Sequence, residues 1–203
     1  MFDFHIKIVF ILILLKILSI IIVYYNSNKN TENKKEKEIC MTEDARNFMI
    51  CWVKFILDII NFSKAIIKNL PNFNQYKTNL DKTKSELYIL FSKIYKNIND
   101  DKEFTKIIEE QIIIKTNLCY AIKNNDTQKT KLYSSDLLIN TNKLSALFNK
   151  IKNNNNNKNE LNNSLTSHTN LYIKSVSTMK KITDAELTRE LVIGSFSTLK
   201  LLF

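Results

Sequence analysis

One glycine and one proline in 203 residues exclude most of the ways a chain can fold. Sheet proteins reverse direction at tight turns, whose backbone angles favour those two residues. Long helices need neither, and the apolar residues here recur every three or four positions, as one face of a helix packed on its neighbours requires. The expected fold is therefore all-α. A chain of this length fits one domain with a real core.

The apolar stripes divide the chain into six helices. Helix A is expected from Thr42, a capping residue followed by Glu43 and Asp44 in the first turn, to a point before Pro71. Its stripe is Phe48, Trp52, Phe55, Ile59, Phe62 and Ile66. Helix B is expected over 74–98 on Leu80, Thr83, Leu87, Leu90, Ile94 and Ile98, with Phe91 widening the face. Helix C should open at Asp100, spaced to cap reciprocally with Glu103, and carry Phe104, Ile107, Gln111, Ile114, Leu118 and Ala121. Asn124, Asn125 and Asp126 then turn into helix D, on Tyr133, Leu137, Asn140, Leu144, Leu147 and Ile151.

A run of five asparagines, 153–157, reads as a surface loop, because asparagine competes with its own backbone for hydrogen bonds. Helix E follows over 159–179 on Leu161, Leu165, His168, Tyr172, Ser175 and Met179, and Thr183 with Glu186 is spaced as a capping box for helix F. Short connections between such helices imply an antiparallel up-and-down bundle over 42–203.

Ahead of the bundle, residues 6–25 read IKIVFILILLKILSIIIVYY. Twenty residues at about 1.5 Å each match a hydrocarbon core of roughly 30 Å. Lys16 near the middle costs about 2.5 to 3.5 kcal/mol on insertion scales, which the surrounding Ile, Leu, Val and Phe outweigh. A cleaved signal would have a shorter apolar run followed by small residues, whereas Tyr24, Tyr25 and Asn26 follow here. The expectation is a single N-terminal transmembrane helix within 1–25 that anchors the chain in membrane lipid, then a flexible charged tether over 26–41. Lys29, Lys34, Lys35 and Lys37 after the span outnumber Lys7 at its start, which places the bundle on the cytoplasmic side.

The formal net charge of +10 would suit an anionic partner, lipid or nucleic acid. The lysines, however, are spread along every segment among acids, as on solvated helix faces, and an excess of lysine and asparagine is also what AT-rich coding is expected to give. Only Arg46 and Arg189 are arginines, so nucleic acid is a poor candidate. Cys40, Cys51 and Cys119 have no CxxC spacing, which indicates neither a disulfide framework nor a zinc knuckle. There is no Gly-rich phosphate loop, no G-x-S-x-G and no Glu-x-x-His, and Glu109 and Glu110, being adjacent on one helix, point apart. No catalytic residue, cofactor or metal site is expected.

Gln111, Asn140 and His168 are the exceptions to an apolar core: each stands where the periodicity calls for an apolar residue. A buried polar group without a partner costs about 1 to 3 kcal/mol, so each should find one. They are the candidate residues for a ligand or metal inside the bundle, set against the plainer reading of hydrogen-bonded core side chains.

The stretch from about Phe48 to Phe203 resembles a group of small bacterial helical-bundle proteins of unassigned function, some mislabelled as glycosyltransferases. Where that group has His-x-x-Trp-Thr-Arg, this chain has Met49, Trp52, Val53 and Lys54; an Asp-Ile-Gly region before Tyr-Tyr is met by Glu86, Leu87 and Tyr88, then Ile94 and Tyr95. A His-Ile-x-Ile-Ala helix corresponds to residues 111–115, a Gly-Asp-Thr turn to Asn125, Asp126 and Thr127, and an Asn-Ala-Asp-Glu-Ile-Ala segment to residues 140–145. A later His-Leu-x-Leu-Thr helix falls on residues 168–172, and the last helix of the group has no counterpart around Leu187 to Ser195. The resemblance implies a helical bundle that keeps one of the group's histidines, His168.

Together these readings describe a non-enzymatic, single-pass membrane protein whose bundle is a structural or interaction module, with a protein partner or a homo-oligomer as its expected company. The alternatives are a core that binds a ligand or metal, as a degenerate enzyme relative would, and a basic module for anionic lipid or nucleic acid.

Overall fold

The computed structural model describes residues 42–152 and 158–179, together with 189, 191–195 and 198. They are helical, joined by short turns, and belong to one compact unit spanning 41–203. The expected anchor at 6–25, the tether, the asparagine run at 153–157 and the capping box at Thr183 and Glu186 lie outside the described residues. None of the described helices is long and apolar enough to cross a membrane.

Five helices are complete: α1 (Glu43–Lys68), α2 (Phe73–Tyr95), α3 (Ile98–Lys123), α4 (Thr127–Lys152) and α5 (Lys158–Thr178). Residues 191–195 add a further helical segment against α5. Thr42 caps α1 as its position suggests, its hydroxyl accepting from Ala45 N at 3.2 Å.

The start of α3 differs from expectation. Asn97, not Asp100, caps it, accepting from Asn99 N at 3.0 Å, and the helix begins two residues early at Ile98. Asp100 and Glu103 do not cap reciprocally. Both instead accept from Lys150 of α4, at 2.8 and 3.4 Å, so a pair expected to act locally ties two helices together.

The scarcity of glycine is felt at the turns. Asn69 and Lys96, which end α1 and α2, and Asn125 before α4 adopt positive φ of 53°, 48° and 57°, where glycine is the usual occupant. Asparagine tolerates this region, but lysine has no side-chain reason to be there.

Specific contacts set the directions of the first four helices. Lys54 meets Glu86 and Phe62 meets Phe73, so α2 runs antiparallel to α1. Lys84 with Glu109 and Phe91 with Phe104 reverse α3 against α2, and Glu110 with Lys143 and Asp100 with Lys150 reverse α4 against α3. Helix α1 packs against α2, α3 and α5. It buries residues well beyond the single stripe expected of it, including Met49, Cys51, Val53, Ile56, Ile60 and Ile67, and so forms the centre of the bundle.

An aromatic cluster closes one end of that centre. The ring of Phe104 stacks on Phe91 at 3.9 Å between centroids, meets Tyr88 edge-on at 6.2 Å, and lies 6.2 to 6.4 Å from Phe48, Trp52 and Phe148. It joins four helices through one fully buried side chain. Phe91 carries the α2 face where Leu90 and Ile94 were expected to share it; those two are half-buried.

Phe104→Ala is expected to cost about 3 to 5 kcal/mol in chemical denaturation, because a cavity opens where four helices meet. Lys96→Gly, by contrast, should raise stability by about 1 kcal/mol through relief of the left-handed backbone. No gain from the glycine would mean that Lys96 is unstrained.

Candidate functional site

Polar groups in the core cluster on α3 and α5. From Phe104 the buried face of α3 runs through Ile107 and Ile108 to Gln111, then steps four residues to Lys115 before Leu118 and Cys119. The expected step was to Ile114, which is only half-buried. A lysine thus occupies the core beside Gln111.

Lys115 is 6 % exposed. Its ammonium nitrogen donates to Gln111 Oε1 at 3.1 Å and sits 4.7 Å from the centre of the Tyr172 ring on α5. Among the described residues no carboxylate forms an ion pair with it. Loss of hydration therefore dominates and brings its pKa down from 10.5 to about 7, partly opposed by the neighbouring Cys119.

The Tyr172 hydroxyl continues the network into α1. Ser63 Oγ gives its proton to Ile59 O at 2.8 Å, so it accepts from Tyr172 at 2.8 Å, and the Cys119 thiol lies 3.7 Å from the same phenol oxygen. Burial raises the pKa of both Cys119 and Tyr172, which keeps thiol and phenol neutral. One lysine, one phenol, one thiol and one serine from three helices therefore meet in the dry interior. Chemically the lysine is the unusual member: near neutral pH a fraction of it is free amine.

His168 is held separately. Leu191 O can only accept, at 3.1 Å, so Nε2 carries the proton, and Ser195 Oγ lies 2.8 Å from the same nitrogen while donating to Leu191 O at 2.8 Å. Burial, then the charge of Lys115, lowers the histidine pKa from 6.5 to about 4. Its role in the fold is to fasten α5 to the segment at 191–195, with Ser164 and Thr198 making a second link at 2.7 Å.

Asn140 serves another seam. Its amide donates to Ile107 O and Glu110 Oε2, each at 3.1 Å, while Oδ1 is buried with no partner among the described residues. Glu110 also receives Lys143 at 2.8 Å, and that hydrogen bond lowers its pKa.

The three polar interruptions found in the sequence thus close on three different sets of partners. Gln111 and His168 both sense Lys115, the first by a hydrogen bond and the second through its charge, and Asn140 belongs to the α3–α4 seam. Sequence reasoning passed over Lys115. The available signal was its position four residues after Gln111 and four before Cys119, on a face otherwise apolar. Among the described residues no group of three or more His, Cys, Asp or Glu side chains could hold a metal ion.

Beside Asn140, on the outside of α3 and α4, lies an open groove of about 580 Å³. It is lined by Ile113, Ile114 and Ile139 among charged residues that include Lys106, Asp136 and Lys143. Ile113 and Ile139 are 59 % and 53 % exposed, unusual for isoleucines opposite one another across a seam. No family model, curated protein or solved structure matches this chain.

The buried amine makes stability depend on pH. Between pH 7 and 10.5 the unfolded chain holds a proton on Lys115 that the folded chain gives up, so stability rises with pH across that window and is lost as pH falls through 7. Between 6.5 and 4 His168 acts in the same direction, adding a further loss in acid. Replacing Gln111 and Lys115 together by Leu and Met should stabilise the protein by about 1 to 4 kcal/mol at pH 6 and by much less at pH 10. Denaturation at the two pH values measures the difference; an equal gain at both would show that Lys115 is not the titrating group.

Proposed function

We propose that this chain is a non-enzymatic interaction module: a helical bundle held at a membrane surface, on the cytoplasmic side, by the apolar segment at 6–25. The exposed isoleucine pair of the α3–α4 groove carries this reading, because a soluble helix face has little reason to present apolar side chains in register across two helices. The inward disposition of the polar core supports it. Gln111, His168 and the amide nitrogen of Asn140 spend their hydrogen bonds on neighbouring side chains and carbonyls, as groups that stiffen a scaffold do.

The anchor reading rests on the length and apolarity of 6–25 and on the lysines that follow it. A bundle joined to such an anchor by a short polar tether acts near the bilayer, within reach of other membrane-bound chains. A second reading, a core that takes a ligand, is favoured by Lys115 alone, since an amine that is partly neutral near pH 7 could react with a carbonyl. Reductive trapping of a small aldehyde on Lys115 in the folded protein would support that reading and displace the first.

The full-length protein should stay with membranes through alkaline carbonate extraction and be released once residues 6–25 are deleted. Ile113→Lys with Ile139→Lys should abolish its chemically cross-linked complexes in those membranes without lowering the melting temperature. Release of the intact protein by carbonate would end the anchor half of the proposal, and unchanged cross-links would end the interaction half.

A further inference from the structure

Seven large apolar side chains are exposed among the described residues, and four of them lie on α3 and α4. Ile113 and Ile139 share the groove. Tyr120 stands seven residues after Ile113, and Leu132 seven before Ile139, so in an antiparallel pair both shift by two turns in the same direction. The register of the seam follows from Glu110 with Lys143 and from Phe104 with Phe148, and it sets Tyr120 at the height of Leu132 as it sets Ile113 at the height of Ile139, although across the seam Tyr120 shares its cleft with Tyr133. The result is a ladder of two apolar rungs on the outer face. A seven-residue repeat keeps side chains on one side of a helix and is the spacing by which helices from different chains interdigitate.

A surface made of two antiparallel helices with that repeat fits a partner built in the same way, and a second copy of this chain supplies one. We propose that the α3–α4 face is a homodimer interface, in which two copies related by a two-fold axis along the α3–α4 seam lay α3 of each on α4 of the other. This rests on the reading of the bundle as an interaction module and names its partner.

Charge favours the arrangement. Glu110 on α3 and Lys143 on α4 lie at the same height, as the 2.8 Å bond between them shows, while Glu109 is turned to Lys84 of α2. Rotation about the seam brings Glu110 of one copy over Lys143 of the other, twice in the dimer, and places apolar rung on apolar rung. The same axis keeps the Thr42 ends of both copies on one side, as two chains anchored in the same membrane require. An axis across the helices would send those ends apart.

Full-length protein in detergent, with Cys40→Ser throughout, provides the test. Copies carrying Ile113→Cys are mixed with copies carrying Ile139→Cys, oxidised and compared with each variant alone and with Ile89→Cys, while sedimentation equilibrium reports mass. The expected result is a dimer whose disulfide forms between unlike copies at least tenfold faster than between like copies or at position 89. Ile113→Lys with Ile139→Lys should weaken the dimer at least tenfold and leave unchanged the helicity and the melting temperature measured at dilutions where both proteins are monomeric.

A monomer at every concentration would overturn the proposal, as would a dimer that joins position 113 to itself or survives both lysines. If the protein is monomeric yet the two lysines remove its cross-links to a different membrane protein, the dimer falls and the interaction module stands. If they remove nothing, both fall.

Discussion

The ring of Phe104 is the contact on which this bundle depends. It is fully buried, stacks on Phe91, and touches aromatic side chains from α1, α2 and α4, so the relative positions of four helices meet at one residue. Aromatic pairs prefer particular separations and tilts, and a cluster of them limits sliding and rotation more strongly than aliphatic packing does. With that end held, α1 can lie along the centre and bury Ile and Phe nearly all round. The ion pairs of Lys84 with Glu109, Lys143 with Glu110 and Lys150 with Asp100 then read as register marks on the surface, each contributing little energy but favouring one offset between neighbours.

The other end of the bundle is organised by polar groups. Ser63, Cys119 and Tyr172 join α1, α3 and α5, while Thr141 and Thr169 link α4 to α5 at 2.8 Å. Hydrogen bonds in a dry interior have strict geometry, so they orient α5 where apolar contact alone would leave it free to turn. Lys115 is the exception to this economy. It is buried with one hydrogen bond and one aromatic face for company, and its cost in stability grows as the amine becomes charged. The amine lies against the Tyr172 ring of α5, a contact that no surface feature reveals.

The outer face of α3 and α4 follows a different logic from either end. Inside the seam Asn140 and Glu110 satisfy backbone and lysine partners, and outside it Ile113, Ile139, Tyr120 and Leu132 are left in water. Among the described residues Ile50, Ile89 and Ile193 are exposed singly, whereas these four stay outside together because both helices already spend their inward faces on α1 and α5. A second apolar face on the same two helices is what an interaction surface needs.

Much of this was legible along the chain. Helical class, the stripe of α1, the cap at Thr42 and the turn at Asn124 to Asp126 follow from local periodicity and capping chemistry, which act within a few residues and need no knowledge of neighbours. Gln111, Asn140 and His168 were likewise visible as polar interruptions of apolar stripes. What periodicity could not decide was any choice between positions one residue apart. Ile114 and Lys115, three and four residues after Gln111, flank its direction on opposite sides of α3, and hydrophobicity favours the isoleucine, yet the neighbouring helices turn the lysine inward. Asp100 and Glu103 have the spacing of a cap, and the arrival of Lys150 from α4 gave them other work. Which polar groups meet, and which apolar ones stay outside, depends on the rotation of each helix about its axis. That angle is set by side chains far apart in sequence, so only the tertiary structure contains it.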